Sequence, residues 1–187
     1  GVNWTLMTSL AFIDMEFRPT SPGTIYASTK GSSTSIYLSV NFGVTWNFIT
    51  SYSGKRTELA VSFNQPQWVY AVVSNNSGGL LGVYKSINDG ASYSQVFNCN
   101  INGNYLLNWS CSGTGSNNGQ GSYDLCIAVD PNNASVVYVG GVNTWKSSDG
   151  GSSFGIVNHW TGCGSPSFAQ NVHADKHFLT FQNTSST

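Results

Sequence analysis

The chain has 187 residues, of which only 8% are charged, and a formal net charge of −1. That balance leaves no electrostatic footprint for a nucleic-acid backbone, and no apolar run approaches the roughly 18 residues of a membrane span. With 40% apolar residues, 21 glycines and abundant aromatics, the composition describes one all-β domain of short strands and many turns.

In chain order, residues 1–10 read as the last strand of a preceding sheet. A first unit, 11–57, opens with a strand at 12–17, turns at 18–23, returns through 24–28 and runs through 35–39 into a polar turn. A second unit, 58–122, repeats the plan with strands at 58–63, 68–73 and 80–86. A third, 123–171, has strands at 124–129, 136–139 and 142–146, and 172–187 opens a further unit with its first strand. Phe17, Phe63 and Val129 fall at equivalent places, as do Tyr26, Tyr70 and Tyr138.

Each unit carries one polar turn of the same design, and these turns define the repeat. They are Ser39-x-Asn41-x-Gly43-x-Thr45-Trp46, Ser86-x-Asn88-x-Gly90-x-Ser92-Tyr93 and Ser147-x-Asp149-x-Gly151-x-Ser153-Phe154, with a truncated copy at Asn3-Trp4. The closing aromatics are spaced by 42, 47 and 61 residues, the last step containing an insertion. The Asp or Asn oxygen accepts from backbone N–H groups a few residues on. Glycine supplies the positive φ of a tight hairpin, and the aromatic starts the next strand with its ring buried.

These turns resemble the Asp-box of sialidases, sortilin-type receptors and xyloglucanases. The resemblance implies a β-propeller of four-stranded antiparallel blades, with only part of the ring present. In those families the box is structural and lies away from the active face.

Two stretches carry the binding expectations. The insertion 98–122 is a long loop containing Cys99, Trp109 and Cys111, and this loop and the tryptophan-rich edges offer Trp109 and Trp160 as candidate ligand contacts. His173, Asp175 and His177 alternate, so a regular strand would put all three on one face and line the mouth of a central channel. By the repeat register His177 takes the place of Ile13, Leu59 and Leu125. His-x-Asp-x-His offers metal or ligand groups, against a structural reading in which His177 is an interior histidine and Asp175 caps a turn.

Glycoside hydrolysis would need two carboxylates about 5–10 Å apart. The candidates lie on or near first strands: Asp14, Glu16, Glu58, Asp124 and Asp175, with Asp124 and Asp175 the catalytic pair of that reading. Sialidases hold the substrate carboxylate with an arginine cluster, whereas this chain has only Arg18 and Arg56. That argues against a complete sialidase site. No cofactor and no metal are expected.

Cys99, Cys111, Cys126 and Cys163 form no CxxC pair and are all disulfide candidates. Cys99 and Cys111 bracket a loop in a way that suits an oxidising compartment. Asn3, Asn75, Asn108, Asn133 and Asn183 begin N-x-Ser/Thr sequons and are read as exposed turns.

The runs 119–125, 139–147 and 172–177 are similar to recurrent phrases of large secreted propeller proteins of Bacteroidetes-type bacteria. That resemblance implies export to the cell surface or medium, often by a type IX system. Lys176 and Cys126 depart from the pattern. The resulting expectation is an extracellular, non-catalytic propeller segment of a larger secreted or cell-surface protein. It would scaffold binding to protein or glycan, adhesin-like, with the remaining blades of the same chain as its structural partners. The alternatives are a xyloglucanase-like glycoside hydrolase and a structural repeat of a surface filament or type IX secretion cargo.

Overall fold

The computed structural model describes residues 1–162 and 169–182. Thirteen strands and one short helix are present among them. The first blade is β1 (Phe12–Phe17), β2 (Ile25–Thr29), β3 (Thr34–Ser39) and β4 (Asn47–Tyr52). The second is β5 (Arg56–Val61), β6 (Val69–Ser74), β7 (Leu80–Ser86) and β8 (Ser94–Phe97). Helix α1 (Cys99–Asn102) follows it, and the third blade is β9 (Cys126–Asp130), β10 (Asn133–Gly140), β11 (Thr144–Ser147) and β12 (Gly155–His159). Each blade is an antiparallel meander in sequence order, and β13 (Gln170–Asn171) adds a parallel partner to β12.

The first strands sit side by side, β1 against β5 and β5 against β9. The middle blade therefore has a neighbour on both faces. Its strand β6 (Val-Tyr-Ala-Val-Val-Ser) is buried at every position, which explains a near-continuous apolar run where an exposed strand would alternate. Strand pairing sets Phe17, Val61 and Val129 opposite Ile25, Val69 and Val137. Phe63 therefore stands two residues beyond the equivalence read from the sequence. Tyr26, Tyr70 and Tyr138 do share one register, opposite Glu16, Ala60 and Ala128.

The three polar turns fold alike. Ser39 Oγ donates to Asn41 Oδ1 at 3.0 Å and accepts from Gly43 N at 2.8 Å, while Thr45 N donates to Asn41 Oδ1 at 2.9 Å. Ser86, Asn88, Gly90 and Ser92 repeat these bonds at 2.8, 2.9 and 3.1 Å. Ser147, Asp149, Gly151 and Ser153 repeat them at 2.8, 2.8 and 3.0 Å. Of the three capping Asn or Asp residues, Asp149 alone is ionisable. Burial would raise its pKa, but bonds from Ser153, Ser147 and Ser152 outweigh that and hold the carboxyl down at about 2.

The two terminal expectations are corrected. Residues 1–11 form no strand, and their large apolar side chains Val2, Trp4 and Leu6 are exposed. Residues 172–182 form none either.

Candidate functional site

The insertion after β8 is built into the core rather than draped over it. Asn98 caps α1 by accepting from Asn100 N, and Gly103 ends it in a left-handed conformation, φ 67°. Leu106 and Leu107 then enter the main apolar cluster, and Trp145 Nε1 donates to Leu106 O at 2.6 Å. Further on, the Asn117 amide clamps the backbone of Leu80, accepting from its N and donating to its O, each at 2.8 Å.

One buried amide joins this loop to the third blade. Asn143 is fully buried and its Nδ2 donates to Asn108 O and Ser110 O at 3.2 and 3.1 Å. Its Oδ1 accepts from Trp160 N at 3.2 Å. Trp160 Nε1 in turn donates to Trp109 O at 2.9 Å. Trp109 and Trp160, separated by 51 residues in sequence, are thus brought together, each 40% exposed. Their adjacency was not legible from spacing, although each ring had been singled out.

A second cluster lies on the first strands. Arg56 Nε donates to Glu58 Oε1 at 2.6 Å, and its guanidinium also donates to the carbonyls of Tyr123 and Leu125. Asp14 Oδ2 accepts from Leu59 N at 2.7 Å. With Glu16, Cys126 and His177 these groups line a cavity of about 210 Å³. Burial, reinforced by the Asp14 charge, lifts both Glu16 and Glu58 to about 7, and burial raises Asp14 as well. Asp14 and Glu58 both feel the one guanidinium, and the repeat analysis did not anticipate that Arg56 would be their counter-ion.

These shifts predict a pH dependence. A carboxyl whose pKa is raised on folding stabilises the fold below its unfolded value, and the contribution is lost as pH rises through the folded value. The window here runs from the ordinary glutamate value of 4.5 to about 7. The melting temperature should therefore fall by roughly 5 °C between pH 5 and 7.5, and Glu16→Gln should flatten the slope in a series of thermal melts. Asp149 has the opposite sign, but its window lies between the ordinary aspartate value of 3.8 and about 2.

The His173, Asp175, His177 expectation is corrected. Asp175 has φ +69°, so the backbone turns there and the three side chains do not share a strand face. His173 is 89% exposed at its side chain and its Nδ1 is 4.0 Å from Asp175 Oδ2. His177 instead packs edge-on against Tyr123, with ring centroids 4.8 Å apart. Among the described residues no group of three potential ligands is placed to hold a metal ion. The buried residue of this stretch is Lys176, whose Nζ donates to Val142 O and His173 O at 2.8 and 2.9 Å.

Asp124 and Asp175 do meet, though through the backbone: Asp175 N donates to Asp124 Oδ2 at 3.2 Å. Asp124 is fully buried, and burial raises it to about 6.

The cysteine expectations change too. Cys99 and Cys126 are free, buried thiols. Cys99 Sγ donates to Leu80 O at 3.4 Å inside the core. Cys126 packs against Gly140. Cys111 is disulfide-bonded, and Cys163 lies outside the described residues, as does Asn183. Two sequon asparagines prove structural. Asn75 Oδ1 accepts from Ser77 N and Gly79 N, and the buried Asn108 donates to Ser116 O and Asn118 Oδ1. Asn3 and Asn133 are exposed.

Three antiparallel blades with adjacent inner strands define a section of a β-propeller. Comparison with known proteins agrees at that level. A stretch of 71 residues, 33% of the chain, is 39% identical to a xyloglucanase of Hypocrea jecorina and spans 8% of that protein. The GH74 enzyme of Niastella koreensis is 19% identical over 79% of the chain and 22% of its own, with a TM-score of 0.53. YCF48 from Cyanidioschyzon merolae is 11% identical over 82% of the chain and 39% of its own, with a TM-score of 0.52. No family model matches the sequence. The structural likenesses show the fold alone, and the chain spans well under half of each relative. No helix among the described residues is long and apolar enough to cross a membrane.

Proposed function

We propose that this chain is an extracellular, non-catalytic propeller segment of a larger protein and that it presents a glycan-binding surface centred on Trp109 and Trp160. The observation that carries the reading is a pair of half-exposed tryptophans in which the Trp160 indole donates to the main-chain carbonyl of Trp109 and the Trp160 backbone N–H to buried Asn143. A rigid aromatic surface offers an apolar face for a sugar ring at little entropic cost. The stretch similar to a xyloglucanase favours a glycan over a protein as the ligand. A hydrolytic role has less support, because Asp124 is closed off from solvent and has no open path to a glycosidic oxygen.

The test is a fluorescence titration with xyloglucan oligosaccharides, followed by a glycan array. Trp160→Ala should weaken binding at least tenfold, about 1.4 kcal/mol, while leaving the melting temperature within a few degrees. An empty array, or binding that Trp160→Ala leaves unchanged, would overturn the reading.

A further inference from the structure

The two tryptophans occupy only part of one end of the third blade. Strand register puts Cys126, at the start of β9, opposite Gly140, at the end of β10, and Gly140 opposite Thr144, at the start of β11. Thr144 in turn faces Asn158, near the end of β12. The approach to β9, the 141–143 turn and the exit from β12 therefore form one row across the blade. Trp160, directly after β12, stands at the outer end of that row, and Tyr123, just ahead of β9, at the inner end.

Tyr123 is 59% exposed, yet its backbone is fixed. Its N–H donates to Gln120 O at 2.7 Å, and its carbonyl accepts from the Arg56 guanidinium. The 141–143 turn joins it to the tryptophans. A Cβ at Gly141 would lie 3.3 Å from Asp124 O, while Asn143 holds Asn108, Ser110 and Trp160. Three strand intervals separate β9 from β12, and at about 4.8 Å each they set the two aromatic positions roughly 14 Å apart. Residues 98–122, the loop that carries Trp109 and runs up to Tyr123, contain no Asp, Glu, Lys, Arg or His.

Neighbouring blades leave this row uncovered, because they join through their sides. The polar turn of each blade sits on a tyrosine of the blade before it: a Cβ at Gly90 would stand 2.5 Å from Tyr26 Cε1, and one at Gly151 3.7 Å from Tyr70 Cε1. Those turns lie at the opposite ends of the strands from the row. Resting on the glycan-binding reading, we propose that the surface takes an extended neutral oligosaccharide, with Trp109 and Trp160 holding one stretch of it and Tyr123 a second. Each ring offers an apolar platform to a sugar. The uncharged loop supplies no ionic partner for a uronate or a sulfate. Two contacts on one ligand chain reinforce each other, since the second forms intramolecularly.

Calorimetric titration with neutral gluco-oligosaccharides, from disaccharide to hexasaccharide, tests this. Affinity should rise roughly tenfold over the series. Tyr123→Ala should remove most of that rise while leaving disaccharide binding and the melting temperature nearly unchanged. Tyr123→Phe should keep the rise, since the ring and not the hydroxyl makes the contact. An oligogalacturonate of equal length should bind roughly tenfold more weakly than the hexasaccharide. Affinity that does not depend on length, or a Tyr123→Ala loss that is equal at every length, would overturn the second contact, and the tryptophan surface would stand if Trp160→Ala still weakened binding. An oligogalacturonate that binds as tightly would overturn the neutral class. No binding at any length overturns the proposal outright, whereas the tryptophan surface is judged separately by the glycan array.

Discussion

Gly90→Ala should lower the melting temperature by roughly 10 °C. Two costs combine at this position. Its φ of +77° is a region that a side chain enters reluctantly, and the added Cβ would lie 2.5 and 2.9 Å from two ring carbons of Tyr26. Tyr26 is fully buried against the middle blade and cannot swing clear. Strain of about 1 kcal/mol from the backbone and about 2–3 kcal/mol from overpacking is expected. Gly155→Ala supplies the control, since it has no positive φ and no atom within 4 Å of an added Cβ. Differential scanning calorimetry on both variants decides the point. If the two melt within a degree or two of each other, Tyr26 does not hold the turn.

Asn143→Ala should be nearly as damaging, and in a more local way. It deletes a fully buried amide that serves Asn108 O, Ser110 O and Trp160 N. Leaving those groups unpaired in the interior costs about 2–4 kcal/mol. The loss falls on the join between the loop and the third blade, so amide exchange at 108–110 and 160 should accelerate well before the middle blade responds. Glycan binding should weaken along with it, because Trp109 and Trp160 lose their common support. Asn143→Asp keeps the acceptor for Trp160 but turns a donor into a charge facing two carbonyls, so it should rescue neither property. Exchange rates near those of the unaltered protein would remove Asn143 from the site.

The repeat was legible in the sequence because everything that specifies it is local. Ser147, Asp149, Gly151 and Ser153 satisfy one another within seven residues, so spacing alone encodes the turn. The proposed binding surface was half legible: Trp109 and Trp160 stood out as rings, but their meeting depends on Asn143, an asparagine with no local signature. The strand reading of 172–177 failed because alternation assumes extended backbone, and a single residue at positive φ, Asp175, breaks it. Cys99 misled for a related reason. Its distance from Cys111 in sequence looked like a bridged loop, yet Leu106 and Leu107 draw that segment inward and leave its thiol in the core. The buried Lys176 was likewise beyond sequence reasoning, because its acceptors are main-chain carbonyls of Val142 and His173.

The seating of each glycine turn on the preceding tyrosine also bears on how such a chain can grow. The stretch that repeats in the gene runs from a first strand to a turn, whereas the contact that unites neighbours runs from one stretch into the next. Every duplicated stretch consequently arrives with a tyrosine for the newcomer after it and a turn for the one before it. Lengthening the array by one unit requires no new complementary surface to evolve. What the duplicate cannot inherit is the decoration around that contact, and here the pairs differ: Arg18 with Asp89 at one junction, Ser62 with Gly150 at the equivalent places of the next. Those rim positions are where individual units acquire a fixed place in the order.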